Sequence, residues 1–338
     1  MLVNKKTAAS LRFAMIGNGS WATALTKILL NHEDLLYWFV RDDNMISYIQ
    51  RYRRNSEFLR SAVLDTSRLE IYSDINKVVE NADVVVVCIP SVFLEAELNK
   101  LTVSLKNKFI VSAVKGIIPN GNLTVAEYFN QKYDIPFDNI GAITGPCHAE
   151  EVALERLSYL TFSCKKKENA EVLASHFACS YVKTRIGNDI YGVEYAAILK
   201  NIYAVATGIC HGLGYGDNFL AMLITNAFSE MKRFLNNSYP SDTRDTTYSS
   251  YLGDLLVTCY SQFSRNRTFG GMIGKGYSVT SAQTEMNMIA EGYYASKCIY
   301  EINKKHGIAM PIADTVYRIL YENASPATEI QTLTEELI

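Results

Sequence analysis

Residues Phe13–Leu25 read FAMIGNGSWATAL. A short apolar run from Arg12 to Ile16 is broken by Gly17 and Gly19. An apolar pattern at helical spacing then resumes from Trp21 to Leu30, so the glycines mark a strand-to-helix turn. Ala22 occupies the third position of the G-x-G-x-x-G/A pattern found at such turns. Gly17 suits the tight turn. Gly19 lets backbone N–H groups approach a pyrophosphate at the positive end of a helix beginning near Ser20. Strand before and helix after together make this a dinucleotide-binding turn.

Outward from that turn, LLYWFV (Leu35–Val40) reads as a second buried strand. ADVVVVCIP (Ala82–Pro90), KFIVSAV (Lys108–Val114) and NIGAIT (Asn139–Thr144) are unbroken β-rich runs of the kind covered on both faces. Helical patterns such as Ser91–Leu101 lie between them, which predicts a parallel sheet. LSYLTFSC (Leu157–Cys164) and SYVKTRIG (Ser180–Gly187) flank the helix-like ENAEVLASHFA. After Asn188 the chain reads as long helices. The expected fold is α/β: a Rossmann-like doubly wound sheet over residues 1–187, then an all-helical domain over 188–338. The hydroxyl-rich NNSYPSDTRDTTYSSY (Asn236–Tyr251) reads as a loop between helices.

The chain has 338 residues, 48% of them hydrophobic, with 33 basic and 35 acidic residues and a net charge of -2. No basic stripe suits a phosphodiester backbone, so nucleic acid is not expected as a partner. Seven cysteines without a C-x-x-C pair suit reduced thiols in a cytoplasm. The amino-terminal MLVNKKTAASLRFAMIG reads as neither signal peptide nor membrane span. The five histidines lack ligand spacing, so no metal is called for.

Several residues carry candidate chemistry. Arg41 follows Val40 where an NAD site usually places an acid, and its guanidinium suits the 2′-phosphate of NADP; Asp42 or Asp43 holding a ribose is the other reading. Lys115 and Gly116 lie just beyond a strand, at the carboxyl end where ligands gather. In ITGPCHAEEV (Ile143–Val152), Gly145 ends a strand and Pro146 is placed to start a helix; the sequence shows no carboxylate paired with His148, which reads as structural, and no base adjacent to Cys147 that would make it a nucleophile. The apolar helix GVEYAAILKNIYAVATGI (Gly192–Ile209) contains Glu194, Lys200 and Asn201. Burying Lys200 needs a reason: an ion pair, or service as a proton donor and acceptor. LGDLLVTCYSQFSRNRTFG (Leu252–Gly270) starts a helix at Asp254 and ends in Arg265-Asn266-Arg267, a cluster suited to clamping phosphate or carboxylate.

The ordered set GNGSWATAL, VVCIPS, VKGI, ITGPCHAEEVA, GNDIYGVEYAAILKNIYAVATGICHGLGYGDN, GDLLVTCYSQFSRNR and AEGYYASK resembles the bacterial type of NAD(P)-dependent glycerol-3-phosphate dehydrogenase, within the 6-phosphogluconate-dehydrogenase-like enzymes. The resemblance spans roughly Leu11–Leu320. It implies reversible reduction of dihydroxyacetone phosphate to sn-glycerol 3-phosphate by NAD(P)H, with NADP favoured by Arg41, as a supply for phospholipid synthesis. It makes Lys200 the catalytic acid/base and Lys115 a second catalytic residue, beside both nicotinamide and substrate. It places Gly145, Cys147, Lys115, Lys200, Asp254, Ser264, Arg265 and Asn266 around the substrate. Gly17, Gly19, Ser20, Trp21, Arg41, Lys115, Ala149, Arg265, Ile289 and Glu291 fall to the cofactor. Relatives more often carry Ser or Thr at Cys147, and a glycine-rich lead where this chain has TRDTTYSSYLGDL. Two other functions fit the same residues: a β-hydroxyacid-type dehydrogenase acting on a carboxylate, and a non-catalytic NADP-binding sensor. The long apolar helices suit a homodimer interface.

Overall fold

Val84–Val87 (β4) is four consecutive valines, buried throughout, and such a segment belongs in the middle of a sheet covered on both faces. In the structure, a computed structural model describing residues 11–286 and 288–337, β4 lies between Phe13–Ile16 (β1) and Phe109–Ser112 (β5). Leu36–Phe39 (β2), Leu69–Tyr72 (β3), Ile140–Thr144 (β6), Ser158–Cys164 (β7) and Val182–Gly187 (β8) complete an eight-stranded sheet in the order β3-β2-β1-β4-β5-β6-β7-β8. Every neighbouring pair is parallel except β6 with β7. The doubly wound, mostly parallel sheet is therefore present, with its order reversing between β1 and β4, the place where such sheets hold ligands. The reading of residues 1–10 as part of neither a signal peptide nor a membrane span lies outside the described residues. Among the described residues no helix is long and apolar enough to cross a membrane.

The sheet's connecting helices are Ser20–Leu29 (α1), Asp43–Tyr52 (α2), Ile75–Glu80 (α3), Ser91–Leu98 (α4), Val125–Tyr133 (α5), Ala149–Ala153 (α6) and Lys167–Phe177 (α7). One face of the sheet buries Met15, Trp38, Val86, Val111 and Phe162 against α1 and α7 residues such as Leu25, Ile28, Leu173 and Phe177. The edge strand β3 has no counterpart among the strands expected from sequence. Its four residues bury only Ile71, so it offers no continuous apolar run.

The chain divides into two compact units: one holds the residues up to Val114 together with Val125–Ile190, the other Lys115–Thr124 together with the chain from Tyr191 onward. The change of character near Gly187 thus lies close to the second unit's main entry, while Lys115 belongs with the helices. These helices are Ile190–Gly212 (α8), Asp217–Ser238 (α9), Asp254–Tyr260 (α10), Arg265–Gly274 (α11), Val279–Glu285 (α12), Glu291–His306 (α13), Pro311–Tyr321 (α14) and Pro326–Glu336 (α15). The polar run 236–251 is less of a loop than its composition suggests. α9 continues to Ser238, and a π-helical turn over Ser249–Gly253 runs directly into α10. Between them Arg244 donates to the Leu235 carbonyl, and the hydroxyls of Tyr239 and Tyr195 meet at 2.7 Å.

α8 and α11 cross in backbone contact. A Cβ on Gly208 would lie 2.1 Å from the Arg267 carbonyl oxygen, and one on Gly270 would lie 2.1 Å from that of Val205. Nothing larger than hydrogen fits at either place, and this holds the polar residues of the two helices in one register. A second tie is the buried carboxylate of Glu230 on α9, which accepts from the N–H groups of Ile312 and Ala313 at 2.9 and 3.0 Å in the first turn of α14. Glu230→Gln sets an amide N–H against one of those donors and is expected to cost about 1–3 kcal/mol of stability. Urea unfolding measures this, and an unchanged midpoint contradicts it.

Candidate active site

In the sheet-bearing unit, Gly17 sits at φ +125°, where a Cβ would lie 2.4 Å from the Cys88 carbonyl oxygen. Only glycine turns there. The Trp38 indole N–H donates to the Gly17 carbonyl at 2.7 Å, and Asn55 Nδ2 donates to the Asn18 carbonyl and to Thr23 Oγ1, each at 2.9 Å. Two carbonyl oxygens that would repel an anion are thereby held by the protein. Gly19 is the N-cap of α1 with no side-chain cap bond, and nothing lies within 4 Å of where its Cβ would be. A helix start with an uncapped, open approach fits a pyrophosphate, so the residues present suit a dinucleotide. Ser20 and Trp21 form the first turn of α1. Trp38 and Asn55 escaped notice in the sequence: one lies inside an apolar run, the other in a polar stretch that carries no motif.

Arg41 follows β2 with its side chain 70% exposed and Nη1 3.5 Å from a Glu97 oxygen. Asp42 caps α2, its Oδ1 accepting from the Asn44 N–H at 2.8 Å. Gly145 at the end of β6 has φ +118°, with a would-be Cβ 2.7 Å from the Tyr159 carbonyl oxygen. Buried Cys147 and Ala149 follow. The helix expected to start at Pro146 begins at Ala149, with His148 as its N-cap residue.

The helical unit gathers charged groups that lie far apart in sequence. Asp254, 1% exposed, stands as the first residue of α10, placed there by the π-helical turn before it. π turns are uncommon and concentrate at functional places. Lys200 Nζ donates to Asp254 Oδ1, and Lys115 Nζ stands 3.5 Å from each Asp254 oxygen. The Lys200 side chain is 4% exposed and that of Lys115 20%. Burial, the largest influence, pushes the Lys200 ammonium down, Asp254 pulls it back up and the Lys115 charge pushes it down again, which together leave it lowered to about 7. Lys200 therefore has the ion-pair partner that its burial calls for, and its surroundings favour the neutral amine more than water does.

Asn201, next to Lys200, donates from Nδ2 to the Lys115 carbonyl at 2.6 Å and accepts at Oδ1 from Asn266 Nδ2 at 2.8 Å. Asn266 Oδ1 in turn accepts from the Gly292 N–H at 2.9 Å. Ser264 is the N-cap of α11, its Oγ accepting from the Arg267 N–H at 3.3 Å, and Arg265 is exposed at the first position of that helix. Ile289 and Glu291 flank the start of α13. The structure thus brings Lys115, Lys200 and Asp254 together and joins Asn266 to them through Asn201. Gly17, Gly19, Ser20, Trp21, Arg41, Gly145, Cys147 and Ala149 belong to the other unit.

Two family models match, described as the NAD-dependent glycerol-3-phosphate dehydrogenase N-terminus over residues 12–170 and C-terminus over residues 189–331. An NAD(P)+ glycerol-3-phosphate dehydrogenase of Clostridium botulinum is 33% identical over 95% of this chain and 96% of its own length. One from Staphylococcus aureus is 33% identical over 96% and 98%. The crystal structure of glycerol-3-phosphate dehydrogenase from Coxiella burnetii superposes with a TM-score of 0.88 at 27% identity, covering 97% of this chain and 99% of that one. D-mandelate dehydrogenase, at 16% identity and a TM-score of 0.60, shares the fold. A glycine turn suited to a dinucleotide and a buried lysine paired with Asp254 accord with these matches, and the chain belongs to the NAD-dependent glycerol-3-phosphate dehydrogenase family.

Proposed function

We propose that this chain carries out its family's reaction, the reversible reduction of dihydroxyacetone phosphate to sn-glycerol 3-phosphate with NAD(P)H, and that Lys200 is its acid/base. The supporting observation is the sharing of one buried carboxylate, Asp254, by two lysines. When bound, the reduced nicotinamide supplies the hydride. Gly17, Gly19, Ser20, Trp21, Ala149, Ile289 and Glu291 hold the dinucleotide. Arg41 takes the 2′-phosphate of NADP, a reading supported by its exposure and by the engagement of Asp42 as a helix cap.

Reduction gives the C2 carbonyl oxygen alkoxide character. Protonated Lys200 hydrogen-bonds to that oxygen and passes it a proton, and Lys115 adds positive field. In the oxidation direction neutral Lys200 takes the hydroxyl proton. The substrate phosphate is gripped at the start of α11 by Arg265, the Ser264 hydroxyl and the Asn266 amide, with Gly145 and Cys147 as further contacts. The same reading makes the protein a cytoplasmic homodimer. None of the seven cysteines is in a disulfide, which accords with a reducing compartment, and Leu256 and Tyr260 on α10 with Phe263 beyond it leave apolar surface exposed.

Oxidation of NADH or NADPH on addition of dihydroxyacetone phosphate tests the function, and no oxidation with either cofactor refutes it. Lys200→Ala is expected to lower turnover about 100- to 1,000-fold. In the parent protein, turnover in reduction should fall as pH rises through about 7, and turnover in oxidation should rise over the same range, because each direction needs the opposite form of Lys200. Profiles flat across that range, or near-normal turnover in Lys200→Ala, remove Lys200 from the mechanism. For Arg265→Ala, the KM for dihydroxyacetone phosphate should rise far more than the Kd for cofactor. Equal losses of both contradict a dedicated phosphate grip.

A further inference from the structure

Two side-chain amides run in series through the helical unit. The Gly292 N–H donates to Asn266, Asn266 donates to Asn201, and Asn201 donates to the Lys115 carbonyl, at 2.9, 2.8 and 2.6 Å. The series has only one workable sense, because the Gly292 N–H can only donate and the Lys115 carbonyl can only accept. Turning over one carboxamide sets N–H against N–H or oxygen against oxygen, and turning over both moves the clashes to the two ends. Asn201 and Asn266 are 4% and 7% exposed, so a mismatched group there has no solvent to turn to. Gly292 meets Asn201 by a second route as well: a Cβ on it would lie 2.6 Å from the Asn201 carbonyl oxygen. The start of α13 is thus seated on α8 at the residue that holds Lys115.

Lys115 stands in the short segment Lys115–Thr124, outside the helices. Its side-chain contacts to Asp254 are long, at 3.5 Å, whereas its main-chain bond from Asn201 is short. We propose that Asn201 is a positioning residue: its carboxamide, oriented by Asn266 and Gly292, sets the Lys115 main chain and so the place of the Lys115 ammonium beside Asp254 and Lys200. This rests on the reading of Lys115 and Lys200 as catalytic groups. The two amides also join α13, which begins at Glu291, to the Lys115 segment. Disturbing that helix start therefore displaces Lys115.

The test is a double-mutant cycle between Asn201→Ser and Lys115→Ala, read as kcat for dihydroxyacetone phosphate reduction, with thermal unfolding as the check on folding. Asn201→Ser alone should lower kcat about tenfold, the scale of one buried hydrogen bond. In the Lys115→Ala background the same change should cost less than about twofold, since the coupled partner is gone. Because the Lys115 charge pushes the Lys200 ammonium down, releasing Lys115 in Asn201→Ser should move the pH midpoint of turnover upward, which general loosening of the fold does not do. If Asn201→Ser does not fold, Asn201→Ala, the better helix former, replaces it in the cycle: it withdraws the donor to the Lys115 carbonyl without adding a charge, and should show the same upward midpoint. Losses that multiply, or a midpoint that stays in place, overturn the proposal while leaving Lys200 as the acid/base. Normal turnover in Lys115→Ala removes the catalytic reading of Lys115, and the positioning role falls with it.

Discussion

One carboxylate shared by two lysines, in a place almost closed to water, is the constraint on which the rest of this molecule depends. Taking charges out of water costs several kcal/mol per ion unless partners are held in good geometry. Asp254, 1% exposed, faces Lys200 and Lys115 together, so with both lysines protonated the cluster carries a surplus positive charge. Burial first, and the Lys115 charge after it, hold the Lys200 ammonium down to about 7 in spite of Asp254, so its proton is held less tightly than an ordinary lysine's. On the proposed reading, an anionic substrate, or an alkoxide forming on it, answers the surplus charge.

Much of the helical unit serves to hold that cluster. The backbone contact of α8 with α11 through Gly208 and Gly270 fixes Lys200 and Asn201 against Asn266, and the π-helical turn before α10 delivers Asp254. The glycine turn of the other unit follows a parallel logic. Trp38 and Asn55 tie two carbonyl oxygens inward, so an anion arriving at the start of α1 meets the positive end of the helix. In both places charge is managed by groups whose own hydrogen bonds are already committed, which is what preorganisation requires.

The central strands were legible in the sequence because a strand covered on both faces is an unbroken apolar run, as in Val84–Val87. The edge strand β3 was not, since Leu69, Glu70 and Tyr72 stay half-exposed and break the pattern. Lys200 stood out because a lysine in an apolar helix is costly and needs a cause. Its partner was harder to see: Asp254, 54 positions away, reads locally as a helix start. Lys115 follows a strand of one unit yet packs with the other, and local periodicity carries no information about such docking. Asn201 passed as one more polar residue beside a lysine. Only the fold puts its two amide ends to use.

The direct test of the central claim is the titration of Lys200 itself, followed by nitrogen-15 NMR on protein labelled at the lysine ε-nitrogens, with Lys200→Arg to assign its signal. The account predicts a midpoint near 7 that moves lower in Asp254→Asn, where the carboxylate that favours the proton is gone. A midpoint near the ordinary lysine value of 10.5, indifferent to Asp254, would contradict it.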